Sequence, residues 1–323
     1  MEPTFPLFRL PEAVIVHVLQ NMNLNELFII SLISSKTKSL VTSLGIEARY
    51  VGIIIFCTIS INVYTTKSHT LNFYDDSNDQ NPLSPVDISL PVAAYFEYQS
   101  KRIQASTPFN FNDWMNHIRT VFCFTNQQDL SFCRGCERFE VQSLKDTIGN
   151  VDDLYVADEV TDVYSQEILK HFNAPNELFL HRNPFDKACE IQKPFIQNFQ
   201  SIVFHDFFSL DDMLLVNIEK VMFAKPISQK QFNRFVKHWT RGSNPRLQCM
   251  SLFIEITNSV SREEPLKGID YVDVAEEDQL EICRKHRIKS YYMVQIRRKD
   301  GTPAVIAAED FGNVLHVNFL VFY

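Results

Sequence analysis

The sequence predicts an α+β protein in which a short helical segment precedes a larger mixed α/β region. Three observations support this prediction. The first 45 residues carry three successive helix signals, residues 50 to 75 are rich in β-branched and aromatic side chains, and short apolar strands recur from about residue 150. Helical periodicity, strand periodicity and regular strand–helix spacing each require a different backbone geometry, so the chain is expected to change architecture twice.

Each of the three predicted helices has its own start signal. Pro11 suits the first turn of a helix, where its missing N–H group would be unpaired in any case. Asn23 followed by Glu26 is a capping-box pattern for the second helix, and Ser34 can cap the third. We therefore expect three helices between residues 8 and 44.

These helices carry more apolar surface than a segment of about 35 residues can bury by itself. Val14, Val18, Leu19 and Met22 are expected on one face of the first helix. Two interpretations follow: the helices pack against the rest of the chain, or they expose an apolar face to a partner helix. The residue pattern alone leaves both open.

The order of residues in this segment resembles an F-box, the motif that docks substrate receptors onto the Skp-family adaptor of SCF-type ubiquitin ligases. The nematode form of the motif is the most similar, because its third helix carries a run like Ser35-Lys36-Thr37-Lys38 in place of an arginine–tryptophan pair. The residues that carry the resemblance are Leu10-Pro11-Glu12, Val18-Leu19, Met22, Leu27, Ile33-Ser34 and Lys36.

The resemblance implies which side chains contact the adaptor. Leu10 and Pro11 would set the entry of the chain, the first helix would insert an apolar face among adaptor helices, and Lys36 would place a charge at the rim. The implied adaptor-binding residues are Leu10, Pro11, Val14, Val18, Leu19, Met22, Leu27, Ile33 and Lys36.

A β-rich connecting region is predicted over residues 48–149. Residues 53–64 and 71–74 form apolar strands, and residues 92–98 and 101–105 form a hairpin. Residues 75–85 form a polar loop that contains two prolines. Residues 112–121 form a helix whose inward side chains are Trp114, Met115 and Ile118.

Residues 150–323 are predicted to form a third region with degenerate leucine-rich-repeat-like strand–helix units and flanking β-hairpins. Five strands are centred on Leu154, Leu178, Ile202, Val221 and Met250, at steps of 24, 24, 19 and 29 residues. Helices are expected between them, for example over residues 165–172 and 228–240. The alternative is an ordinary α+β domain with irregular spacing. Strands over residues 291–298, 303–308 and 314–321 close the chain.

A second resemblance lies in the helix over residues 228–240 and the turn after it. Phe232, Phe235, Val236 and Trp239 form an apolar stripe, and Gly242 can end the helix. The run from this stripe through Gly242-Ser243-Asn244-Pro245-Arg246-Leu247 resembles a signature of the F-box-associated domain of type 2, which follows many nematode F-boxes. The chain therefore resembles a nematode F-box protein with a C-terminal F-box-associated domain, with an F-box at residues 1–47.

Composition excludes several functional classes. A net charge of −8 argues against a nucleic-acid-binding surface, and eight glycines leave little room for a phosphate-binding loop. The longest apolar run, residues 51–64, is too short to span a membrane. Seven scattered cysteines suit free thiols inside the cell, in the cytoplasm or nucleus.

The sequence offers no strong catalytic, metal or cofactor motif. Cys133 and Cys136 have the spacing of two zinc ligands, which Cys123 and His117 could complete, but nothing in the spacing demands it. A redox pair and ordinary thiols are the alternatives, and we expect no metal and no cofactor. His205 is expected to be a structural histidine.

Three hypotheses of function remain. The first is a non-catalytic substrate receptor of an SCF-type ubiquitin ligase, which binds the Skp-family adaptor, through it a cullin, and an unidentified target protein. The second is a stand-alone repeat-like scaffold whose N-terminal helices cap its own core. The third is an enzyme with a site near Cys133 or His205. Exposure of Val18 and Met22 in the isolated chain separates the first two.

Overall fold

A computed structural model describes residues 10–323 except 76–83, 99–100, 106, 174, 198, 257–264 and 291. The chain divides into two compact units. The first comprises residues 1–154 and 167–173, and the second comprises residues 155–166 and 174–323. The division falls close to the boundary predicted at residue 150, whereas the domain boundary predicted at residue 47 lies inside the first unit and stays a prediction.

The three predicted N-terminal helices are confirmed: α1 (Glu12–Gln20), α2 (Leu24–Ser31) and α3 (Ser35–Thr42). Pro11 is the residue before α1 rather than its first residue, and its carbonyl accepts the N–H groups of Val14 and Ile15. Asn23 and Ser34 each make a capping box, so both helix starts follow from local sequence.

Between residues 50 and 148, the first unit has five successive strands, followed by an α-helix, a strand and a second α-helix. In chain order these are β1 (Tyr50–Ile55), β2 (Ile59–Tyr64), β3 (Ser68–Phe73), β4 (Ala94–Tyr98), β5 (Lys101–Ala105), α4 (Phe111–Val121), β6 (Gln128–Phe132) and α5 (Val141–Ile148). The sheet order is β5-β4-β3-β2-β1-β6, and the β1–β6 pair is parallel while the others are antiparallel. The predicted hairpin at β4–β5 is confirmed. Of the predicted polar loop, residues 76–83 lie outside the described residues.

The chain passes from the first unit to the second within β7 (Val151–Val156). The following elements are α6 (Asp162–His171), β8 (Glu177–Leu180), α7 (Gln192–Phe195), β9 (Ser201–Phe204), α8 (Leu210–Leu215), β10 (Lys220–Ile227), α9 (Gln229–Thr240), β11 (Cys249–Glu255), β12 (Val272–Asp273), α10 (Glu276–His286), β13 (Tyr292–Arg297), β14 (Pro303–Asp310) and β15 (Val314–Val321). Residues 167–173 of this stretch belong to the first unit.

The sheet of the second unit follows the predicted repeat. Its order is β8-β9-β10-β11-β15-β14-β13-β12, and β8 to β11 pair in parallel with their sequence neighbours. The predicted strand centres Leu178, Ile202, Val221 and Met250 are direct register partners across these strands. Each crossover from β8 to β11 includes a helix, so the expectation of repeat-like strand–helix units within an α+β fold is confirmed.

The core of the second unit lies between this sheet and α9. Phe232, Phe235, Val236 and Trp239 are all buried, as the helical stripe predicts. After α9, Asn244 adopts a left-handed backbone (φ 53°), and its side-chain amide donates to the carbonyls of Met213 and Val216 at 2.9 Å each. The run after α9 therefore joins the end of α8 to the start of β11 and has a structural role.

Candidate functional site

The structure separates the nine predicted adaptor-binding residues into two groups. Seven reach the surface, and the exposed fractions of Val14 and Ile33 are 44% and 61%. Leu19 and Leu27 are buried in the core of the first unit. The exposed or half-exposed residues are Leu10, Pro11, Val14, Val18, Met22, Ile33 and Lys36.

The phase of α1 explains this separation. Ile15 and Leu19, one helical turn apart, both point into the core, whereas Val14 and Val18 are rotated from them by about 100°. Val14 and Val18 consequently lie on a different face and keep contact with solvent. Ile33 lies in the turn between α2 and α3, and Lys36 lies in the first turn of α3, where both are exposed.

α2 attaches the helical segment to the rest of the first unit through Phe28, which is fully buried. Its ring is stacked on Phe122 at a centroid distance of 6.2 Å and lies edge-on to Phe96 at 6.1 Å and to His117 at 5.7 Å. Trp114 is stacked at 6.2 Å. These rings come from α4, β4 and the residue after α4, so Phe28 packs at the centre of an aromatic cluster.

Two buried histidines make hydrogen bonds to α2. The Ser31 hydroxyl donates to the carbonyl of Phe28 at 2.6 Å and lies 2.8 Å from Nε2 of His117, so His117 donates through Nε2. His69 Nδ1 donates to the side-chain oxygen of Asn25, and its Nε2 has no partner among the described residues. Burial lowers the pKa of both histidines from 6.5 to about 4, and Lys38 adds to the effect on His117.

A groove of about 580 Å³ adjoins the helical segment. Its lining includes the apolar residues Met22, Leu24 and Leu27 and the charged residues Glu47, Arg49 and Lys67. The groove therefore extends the partly exposed apolar surface at the end of α1 toward the turn between β2 and β3.

The Cys133-Arg-Gly-Cys136 motif forms a tight turn. Gly135 has a left-handed backbone (φ 89°), and the turn lets Arg138 reach the carbonyl of Cys57 at 2.8 Å. Cys133 and Cys136 are free thiols, and burial raises the pKa of Cys136. His117, named as a possible further ligand, instead bonds Ser31.

Replacing Gly135 by alanine is expected to lower the free energy of unfolding by about 2 kcal/mol. A Cβ atom there would lie 3.1 Å from the backbone nitrogen of Cys57 and would require a left-handed conformation. Urea denaturation measures the loss. Gly45→Ala is the matched control, because its φ is also positive (64°) but no atom lies within 4 Å of the added Cβ; equal losses in the two variants would contradict the proposed close contact.

Among the described residues, one group could offer three ligands to a metal ion: the carboxylates of Asp129, Asp152 and Asp153 lie within 4.8 Å of one another. Asp129 accepts a hydrogen bond from Tyr50, and its pKa is raised mainly by burial.

His205, suspected from the sequence, lies in the second unit with its ring 4.4 Å from that of His181. His181 in turn bonds the Tyr155 hydroxyl at 2.8 Å.

Sequence reasoning missed the residues that hold the helical segment in place. Phe28, His69 and His117 depend on contacts between segments distant in sequence, which a single sequence does not reveal. The alternation of buried residues in β3 and the apolar face of α4 are the only signals that could have suggested inward positions for the two histidines.

No helix in the described part of the chain is both long and apolar enough to cross a membrane.

Two protein families match separate parts of the chain. The F-box domain family matches residues 7–48, and the F-box associated family matches residues 190–252. The chain is 22% identical over 304 residues to the F-box associated domain-containing protein sdz-33 of Caenorhabditis elegans, covering 93% of this chain and 92% of the relative. No solved structure matches the chain.

Proposed function

We propose that this chain, a nematode F-box protein with an F-box-associated segment, is a substrate-recognition subunit of an SCF-type ubiquitin ligase. F-box domains typically bind adaptors of the Skp family. The observation that carries the proposal is the exposure of Val14 on α1 and of Ile33 in the turn before α3, both within the F-box match and both in a helical segment that Phe28 anchors. An apolar surface on anchored helices suits a protein partner, since exposed apolar groups gain most when they are removed from water.

The proposed mechanism involves no bond-making by this chain. The adaptor would connect it to a cullin, and the remainder of the chain would hold a target protein. Tethering raises the effective concentration of target lysines near a ubiquitin-charged enzyme, so the receptor would act by position alone. Such an assembly would operate inside the cell.

The predicted residues would divide their roles according to burial. Val14, Ile33 and Lys36 would contact the adaptor directly, together with Pro11 at the entry of α1. Leu10, Val18 and Met22, which are half-exposed, would form the edge of the adaptor-binding surface. Leu19 and Leu27, which are buried, would fix the shape of this surface from inside.

Binding of a purified Skp-family adaptor tests the proposal. The double variant Val14→Asp, Ile33→Asp places charges in the proposed interface and is expected to weaken binding at least tenfold, about 1.4 kcal/mol or more. Isothermal titration calorimetry with the full chain measures the affinity, and circular dichroism checks the fold.

Leu280→Asp is the matched control, because Leu280 is an exposed apolar residue on a helix of the second unit. It should leave adaptor binding unchanged. No binding by the native chain would overturn the proposal and favour the second candidate, a scaffold whose N-terminal helices only cap its core. The packing of Phe28 among rings of the first unit is the observation that supports that candidate.

A further inference from the structure

Helix α10 packs against the second unit without a fully buried residue of its own. Its inward side is fixed by three contacts. The Gln279 side-chain amide donates to a backbone carbonyl just before the helix at 2.7 Å. Ile282 and Cys283 pack against the apolar cluster of β13 and β14, and the ring of His286 lies edge-on to Phe322 at 5.9 Å. These residues recur every three or four positions, so they define the rotation of the helix.

Leu280 lies on a flank of α10 that points away from these contacts. It follows Gln279 by one position, which turns it by about 100° around the helix axis, and its exposed fraction is 73%. Tyr271 and Val272, which precede the helix closely in sequence, are exposed as well. A single exposed leucine is ordinary, but three large exposed apolar residues within one short stretch favour a contact surface.

The charges around Leu280 are separated along the helix. Glu276 and Glu277 lie in its first turn, before Leu280, and Arg284 lies one turn after Leu280. All three charged residues fall within about 60° of Leu280 around the helix axis. They are exposed, and no residue in the described part of the chain forms an ion pair with them. Arg287, at the end of the helix, is also exposed.

The helix dipole explains only part of this pattern. Acids in the first turn and bases in the last turn stabilise any helix, whether or not it has a partner. The dipole gains nothing, however, from an exposed apolar side chain such as Leu280 in the middle of the helix. An acidic half, an apolar centre and a basic half together make a surface that is complementary to itself when a second helix runs in the opposite direction.

A two-fold axis beside Leu280 would match these charges. The residue four positions before Leu280 then faces the residue four positions after it in the other copy, so Glu276 of each copy faces Arg284 of the other. Each charge pair occurs twice, and the two Leu280 side chains meet at the axis. A second helix in the parallel direction would instead bring acids against acids and bases against bases.

We propose that the exposed flank of α10 is a homodimer interface, in which α10 packs antiparallel to α10 of a second copy of this chain. The helix has 11 residues and is about 16 Å long, so the contact is small. A small interface predicts a weak dimer, with a dissociation constant in the micromolar range. The inference does not rest on the proposed function, because these residues lie in the second unit and outside the F-box match.

Sedimentation velocity of the full chain at increasing concentration tests for this dimer. We expect the native chain to convert from monomer to dimer below about 100 μM. Leu280→Asp brings two carboxylates together at the axis and should weaken dimerisation at least tenfold. Val163→Asp is the matched control, because Val163 is an exposed apolar residue on α6 and its replacement should leave dimerisation unchanged.

Charge reversal tests the antiparallel pairing directly. One variant carries Glu276→Arg and Glu277→Arg, which makes the flank wholly basic, and the other carries Arg284→Glu and Arg287→Glu, which makes it wholly acidic. Each variant alone should stay monomeric at concentrations where the native chain is a dimer, because like charges then face each other twice. An equimolar mixture of the two variants should dimerise again, which a purely structural role of these charges does not predict.

Circular dichroism checks that every variant folds. The proposal would be overturned by a native chain that stays monomeric up to about 100 μM, which would leave the flank to a different protein. It would also be overturned if Leu280→Asp dimerised like the native chain, or if the mixture of the two folded charge variants did not associate.

The adaptor assay separates this proposal from the proposed function. Leu280→Asp and the two charge variants should bind the adaptor with the affinity of the native chain, and the double variant Val14→Asp, Ile33→Asp should dimerise as the native chain does. Dimerisation without adaptor binding by the native chain would support the α10 interface and refute the ubiquitin-ligase role.

Discussion

Replacing Phe28 by alanine is expected to lower the free energy of unfolding by about 3–5 kcal/mol, the usual cost of deleting a fully buried aromatic side chain. The ring contacts Phe96, Trp114, His117 and Phe122, so its removal leaves a cavity whose walls come from several elements. These walls cannot all move inward together, which places the cost in the upper part of the range. Chemical denaturation of the full chain measures it.

Phe207→Ala is the matched control, because Phe207 is 74% exposed and its truncation should change the free energy of unfolding by less than about 0.5 kcal/mol. A small loss for Phe28→Ala would mean that α2 does not depend on the aromatic cluster. The helical segment would then be an independent domain, as the predicted boundary at residue 47 assumes.

The expected result also bears on adaptor binding. α1 and α3 present Val14 and Lys36, but α2 connects these helices to the rest of the first unit through Phe28 and Ser31. Loosening α2 therefore removes the support on which the exposed surface depends. A chain that carries Phe28→Ala should bind the adaptor more weakly even though Phe28 itself is buried.

Local signals made most of the fold predictable. The capping boxes at Asn23 and Ser34 form because each cap satisfies backbone groups within three residues of itself. The strand centres Leu178, Ile202, Val221 and Met250 were predictable because short apolar strands alternate with helices, and they pair in register because each crossover returns to the same edge of the sheet.

The candidate site was predictable only in outline. The sequence places Val14, Val18, Leu19 and Met22 on one helical face, yet the structure buries Leu19 and exposes Val14. Hydrophobic periodicity locates an apolar stripe on a helix. When this stripe is wider than the area that packs against the core, one of its edges stays in solvent. Only the packing partner decides which edge that is. For α1 the buried edge runs through Ile15, which the sequence reasoning did not single out.

Acidification is expected to destabilise the protein through His69 and His117. Their pKa in the folded chain is about 4, below the ordinary value of 6.5, so the unfolded chain binds protons more readily than the folded chain between these values. The contribution of the two histidines to the free energy of unfolding is therefore complete above pH 6.5. It decreases as the pH drops toward 4. Each histidine contributes at most about 3 kcal/mol to this loss.

The hydrogen bonds of His69 explain the direction. Nδ1 donates to Asn25, so the neutral ring carries its proton there and Nε2 is a buried acceptor without a partner among the described residues. A second proton would create a buried cation with an unpaired donor beside the ring of Phe28, whose centroid is 5.1 Å away. Protonation and unfolding of this region are therefore linked.

Urea denaturation at several pH values between 7.5 and 4.5 measures the effect. His117→Gln removes one of the two groups whose protonation is linked to unfolding, and the glutamine amide keeps a hydrogen-bond donor for Ser31. The variant should therefore flatten the dependence of the free energy of unfolding on pH. Gln20→Ala alters an exposed residue of α1 that does not titrate and should leave the slope unchanged. If both variants kept the native slope, His117 would not be a group that couples protonation to folding, and the acid sensitivity would have to come from His69 or from carboxylates.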